Sequence, residues 1–205
     1  MILPRSRLQS PLSQSMIRRL LFLSEWIIPT AIIFGIFKLI QYLFVTNWDD
    51  VLFKAAKDGN ITKLQEAIRA KANIEVKKRY GITPLMMAVI NSHSPIVSAL
   101  IAVGANIDAR DDEGRSALLF AAQKGSVDIV QMLLAKGADP NTKSFNSNSP
   151  LILAANYGHL EILRTLIARG ADIGWKNQGG LNALHGKLHK HKNNSDIVNH
   201  YSFVL

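Results

Sequence analysis

A period of thirty-three residues constrains the fold of this chain more than any other feature of its sequence. Thr83-Pro84-Leu85, Ser116-Ala117-Leu118, Ser149-Pro150-Leu151 and Asn182-Ala183-Leu184 follow one another at that spacing. So do Ala55, Ala88, Ala121 and Ala154, and likewise Gly104-Ala105-Asn106, Gly137-Ala138-Asp139 and Gly170-Ala171-Asp172. A further column holds Gly81, Gly114 and Gly180, with Ser147 the one departure. Independent columns at one constant spacing mean a single supersecondary unit used repeatedly, each copy stacking on its neighbours to bury its faces.

Each column has a physical reason. Thr83, Ser116, Ser149 and Asn182 are N-cap types, whose side-chain oxygen accepts a hydrogen bond from a free N–H of a starting helix. Pro84 and Pro150 follow at the first helical position, where proline is preorganised. The alanines one turn later let neighbouring helices approach closely. A second apolar set, Ile96-Val97-Leu100-Ile101, recurs as Ile129-Val130-Leu133-Leu134 and Ile162-Leu163-Leu166-Ile167, the spacing of one helical face. Gly104, Gly137 and Gly170 fall where a helix ends in a left-handed residue. The following Asn or Asp and the later finger glycine bracket a turn. Where Ser147 stands in for that glycine, Asn146 and Asn148 flank it, asparagine being the next best residue for a left-handed turn position. The predicted unit is helix, turn, helix and an extended finger.

These residues resemble the ankyrin repeat over about residues 48–205. DEGRSALLFAAQKGSVDIVQMLLAKGADPN at 112–141 follows the family pattern almost position by position. The resemblance implies an all-α solenoid of stacked helix-turn-helix units, with repeats at 79–111, 112–144 and 145–177 between caps at 48–78 and 178–205. The amino-terminal cap has no preceding finger glycine. In the last unit Lys187 occupies the column of Ala154, and the echo of Asp128-Ile129-Val130 at Asp196-Ile197-Val198 implies a small insertion among Lys190–Ser195. Met86, Leu119 and Ile152 replace the histidine of the family's Thr-Pro-Leu-His, which only His185 keeps. Apolar packing is therefore expected where the family hydrogen-bonds histidine to threonine. The resemblance also implies that fingers and inner helices form a concave surface that binds a protein or peptide. By repeat column its residues are Arg79, Tyr80, Ile82, Ile90 and Asn91, then Asp112, Glu113, Arg115, Gln123 and Lys124, then Phe145, Asn146, Asn148, Asn156 and Tyr157. Tyr80, Phe145 and Tyr157 are not needed by a repeat's own core, and rigid aromatics make good anchors.

The chain ahead of the repeats has another character. Residues 1–25 form a basic segment with Arg5, Arg7, Arg18 and Arg19, and its first acid is Glu25. Trp26–Val45 then reads WIIPTAIIFGIFKLIQYLFV, with Lys38 its only charge. A helix of that length spans about 30 Å, the thickness of a bilayer's hydrocarbon core. Residues 26–47 are therefore expected to form one transmembrane helix in contact with lipid. Lys38, which costs about 2.5–3.5 kcal/mol at mid-membrane, snorkels toward the carboxyl-side interface. Trp26, Tyr42 and Trp48 lie near the ends, where amphipathic rings prefer the headgroup level. No small-residue cleavage site follows, so the segment reads as an uncleaved signal anchor. Met16 is an alternative start. Basic residues on the two sides nearly balance, with Arg5 and the Arg18-Arg19 pair favouring a cytoplasmic amino terminus and a repeat domain on the opposite side. Ala31 and Gly35 are spaced to let two spans pack weakly. The alternative is a soluble or organelle-imported repeat protein, because an Arg- and Ser-rich start without acids also suits a targeting segment.

Composition enters as a check. The net charge of +9 invites a nucleic-acid reading. About half of it belongs to the first 47 residues, and the repeat region has neither a basic helix nor interleaved aromatics, so no nucleic-acid partner is expected. No cysteine is present, which excludes thiolate chemistry and disulfides. Hydrolase, dinucleotide and zinc-protease motifs are absent from the sequence, and Gly180…Gly186-Lys187 has the wrong spacing for a phosphate loop. His185 and His189 share a helical spacing, but Lys187, Lys190 and Lys192 oppose a cation. No metal, no cofactor and no catalysis are expected.

Overall fold

A computed structural model describes residues 47–185. The expected span, its flanking arginines and the segment beyond His185, including His189 and Asp196-Ile197-Val198, lie outside the described residues. The chain parts into two units between Asn47 and Trp48, and the second holds all of the described helices. Among the described residues no helix is long and apolar enough to cross a membrane.

Eight α-helices follow in four antiparallel pairs: α1 (Trp48–Asp58) and α2 (Ile61–Arg69), α3 (Pro84–Ile90) and α4 (Ser94–Ala102), α5 (Ala117–Lys124) and α6 (Val127–Ala135), α7 (Pro150–Tyr157) and α8 (Leu160–Ala168). No strand occurs among the described residues. Apart from α1, each helix has only seven to nine residues. Helices that short are marginal alone, so stacking holds them. The inner helices α1, α3, α5 and α7 pack on one another in order, and the outer helices α2, α4, α6 and α8 do the same. An inner helix is covered on nearly all sides: Ala117 to Ala122 of α5 are all buried. An outer helix buries one face, Ile129, Val130, Leu133 and Leu134 in α6. Met86, Leu119 and Ile152 are almost fully buried, the apolar packing expected where the family places histidine.

The capping column is uneven. Thr83 Oγ1 accepts from the Met86 N–H and Ser149 Oγ from the Ile152 N–H, each at 3.3 Å. Asn182 Oδ1 accepts from the His185 N–H at 3.2 Å, although only a 3₁₀ turn, Ala183–His185, follows it within the described residues. Ser116 departs from expectation. Its hydroxyl is buried without a hydrogen-bond partner, so α5 begins without a side-chain cap.

Within each pair the chain turns through a left-handed residue: Gly59, Ser92, Gly125 and Gly158, with φ of 73°, 57°, 83° and 76°. The next repeat leans on that turn. His93 Nε2 is 2.9 Å from the Lys57 carbonyl, and His159 Nε2 is 3.1 Å from that of Gln123. Both rings need a glycine beneath them, since a Cβ on Gly59 or Gly125 would fall 2.8 Å or 2.5 Å from the imidazole. Where the lower residue is Ser92, the upper one is Ser126, and their hydroxyls meet at 2.9 Å.

Candidate functional site

After each outer helix the chain reverses through a second left-handed residue: Lys71, Gly104, Gly137 and Gly170. It then makes an Asx turn. Asn73, Asn106, Asp139 and Asp172 each accept, through Oδ1, the N–H two residues on. These turns aim the fingers. Each finger is a hairpin with three residues at its tip: Arg79-Tyr80-Gly81, Asp112-Glu113-Gly114, Phe145-Asn146-Ser147 and Gln178-Gly179-Gly180. The closing bonds repeat, with the N–H of Lys78, Asp111, Ser144 and Asn177 donating to the carbonyl of Ile82, Arg115, Asn148 and Leu181. The third tip residue is left-handed in all four, which makes a tight turn plus a one-residue bulge. At the third finger Ser147 itself takes that conformation, φ 59°, and not Asn146 or Asn148. The hairpin imposes the geometry on whatever residue occupies the position, at about 1–2 kcal/mol for a residue with a Cβ.

Adjacent tips are joined. The Asp112 N–H donates to the Tyr80 carbonyl at 3.1 Å, Phe145 N–H to Glu113 at 2.9 Å, and Gln178 N–H to Asn146 at 3.3 Å. Cations reinforce the row. Lys77 Nζ donates to the Arg110 carbonyl, Arg110 to the Lys143 carbonyl and Thr142 Oγ1, and Lys143 Nζ lies 3.1 Å above the Trp175 ring. Within the second finger, buried Asp111 accepts the N–H groups of Glu113 and Arg115, and its second oxygen holds Arg115 Nε at 2.8 Å.

The fifteen expected contact residues separate into two groups. Ile82 is buried, 6% exposed, and packs in the core, so it offers nothing to a partner. Its column lies just ahead of the helix N-cap, where the returning finger arm enters the repeat. Two other members of that column are engaged internally: Arg115 pairs with Asp111 and Glu113, and Asn148 Oδ1 accepts from Asn177 Nδ2 at 2.8 Å. Ile90 is half-buried against the core, and Asn156 is half-buried. Gln123 donates to the Tyr157 hydroxyl at 2.9 Å, and Asn91 donates to the Met87 carbonyl. Arg79, Tyr80, Asp112, Glu113, Phe145 and Asn146 at the tips are exposed, as are Lys124 and Tyr157 at inner-helix ends. The three aromatics remain open at 60% for Tyr80, 67% for Phe145 and 48% for Tyr157.

Tyr80 is also strained. Its φ of 65° and ψ of 23° place a bulky side chain in the left-handed region, immediately before left-handed Gly81. Sequence reasoning missed this, and it missed the two bridging histidines, whose column is broken by Ser126. A hollow of about 390 Å³ on the amino-terminal cap is lined by Val51, Lys54, Ala55, Asp58, Asn60 and Lys63 of α1, α2 and the turn between them. None of the fifteen expected contact residues lines it. Among the described residues no group of three His, Asp or Glu side chains is placed to hold a metal ion.

Comparison with known families agrees with this geometry. Residues 52–144 match a model described as ankyrin repeats (3 copies), and residues 141–186 match one described as ankyrin repeats (many copies). No curated protein matches the chain. Ankyrin repeats generally serve as protein-binding modules without catalytic activity. The stacked helix pairs, the joined fingers and both family matches establish that this chain belongs to the ankyrin-repeat family.

Proposed function

We propose that the chain is a single-pass membrane protein that holds its repeat domain at the membrane surface as a non-catalytic scaffold for a protein or peptide partner. Tyr80 carries the binding half of this reading. A tyrosine held exposed in a backbone conformation that glycine adopts at lower cost is a liability for folding, and such outliers concentrate where function requires them. Phe145 and Tyr157 extend the same surface. The membrane half rests on the apolar run Trp26–Val45, and the arginines before it support a cytoplasmic amino terminus with the repeats on the opposite side.

Two measurements test the halves separately. Alkaline carbonate is expected to leave the full chain in the membrane pellet, and release into the supernatant favours an imported or soluble protein whose first helix is a targeting segment. Replacing Tyr80, Phe145 and Tyr157 together by alanine is expected to weaken a captured partner by about a hundredfold, roughly 3 kcal/mol. Affinity unchanged by the triple replacement removes the surface from consideration.

A further inference from the structure

We infer that the finger tips recognise a linear segment of the partner that presents an arginine, flanked by apolar side chains, to Asp112. The inference rests on the reading of the tips as partner-facing. The charges on the fingers are unequally used. On the first finger, Lys78 pairs with Asp50, Lys77 donates to the Arg110 carbonyl, and the Arg79 guanidinium lies 4.8 Å from the centre of the Tyr80 ring. On the second, Asp111 and Glu113 share Arg115. Asp112 is left. It is exposed, and among the described residues its carboxylate meets no cation. Lys124, at the end of α5, is likewise exposed and forms no ion pair among the described residues.

Asp112 stands between two open aromatics. Its N–H bonds the Tyr80 carbonyl and its carboxylate lies against Gly81, where an added Cβ would fall 2.5 Å from Oδ1. On its other side Glu113 accepts the Phe145 N–H. A segment laid along the row meets aromatic, carboxylate and aromatic in turn. Arginine suits that sequence better than lysine, because its planar guanidinium engages a carboxylate while lying on an aromatic face. The chain already uses this arrangement internally: Arg115 donates to Asp111 and its guanidinium sits 4.7 Å from the Phe120 ring centre.

The test is selection of a random nonapeptide phage library on the full chain in detergent micelles, with the winners measured as synthetic peptides. Asp112→Asn keeps the backbone bond and the side-chain shape, and an unchanged melting transition confirms its fold. The expected result is enrichment of arginine between apolar residues, with affinity falling about tenfold in Asp112→Asn and about threefold when the peptide's arginine becomes lysine. Peptides that lose affinity with Tyr80→Ala or Phe145→Ala but not with Asp112→Asn overturn the arginine inference and leave the surface standing. Peptides indifferent to all three variants, or a library without enrichment, overturn both.

Discussion

Three interfaces join the four helix pairs, and the middle one is built differently from the other two. At the outer interfaces a histidine lies on a glycine, His93 on Gly59 and His159 on Gly125, and donates its Nε2–H to a backbone carbonyl of the neighbouring repeat. At the middle interface Ser126 meets Ser92 through two small hydroxyls. The pairing is correlated for steric reasons. A ring fits only over a residue without Cβ, so a serine below requires a small residue above. The second repeat is also the one whose cap residue, Ser116, forms no side-chain hydrogen bond. Identical-looking units therefore contribute unequally, and in a stack with nearest-neighbour energetics each interface can be weakened alone.

Several substitutions break or sharpen that contrast. The largest effect is expected from Gly125→Ala, which strains a φ of 83° and drives a Cβ into the His159 ring. Urea titration of the purified chain should show a loss of about 2–3 kcal/mol. Adding His159→Ser should recover about 1 kcal/mol by recreating the middle arrangement. Additive losses would show that ring and glycine are not coupled. Next comes the cap column: Ser149→Ala should cost about 1 kcal/mol, whereas Ser116→Ala should lie within about 0.5 kcal/mol of the parent in the same titration. The smallest effect is expected at Ser126→Ala, about 0.5 kcal/mol, because the hydroxyl pair is exposed. A loss as large as that for His159→Ala would erase the contrast between interfaces.

What the sequence conveyed depends on whether a position answers to its own repeat or to the next one. Caps, Asx turns and helix-ending glycines are local devices, and the thirty-three-residue columns disclose them without coordinates. The bridging histidines were hidden because their meaning lies thirty-four residues upstream, in whether Gly59, Ser92 or Gly125 sits beneath. Ile82, read as partner-facing, is buried in the core, whereas Leu181 of the same column is 43% exposed, so the column alone did not disclose which member faces inward. Ser147 shows the converse. Its neighbours looked better suited to a left-handed turn, yet the hairpin register decides which residue bears the strain. Exposure of Tyr80, Phe145 and Tyr157 was readable, since none belongs to a column that the core requires. The left-handed backbone of Tyr80 was not, because nothing in its residue type announces it.

The hydrogen bonds that run from tip to tip have a consequence for how this domain can change over generations. Surface loops ordinarily absorb insertions and deletions with little harm, because nothing outside the loop depends on their length. Here Asp112, Phe145 and Gln178 each join one tip to the one before. An added residue in the second finger would displace partners on both sides and propagate along the row. Diversity at these tips is therefore open to exchange of side chains and closed to changes of length.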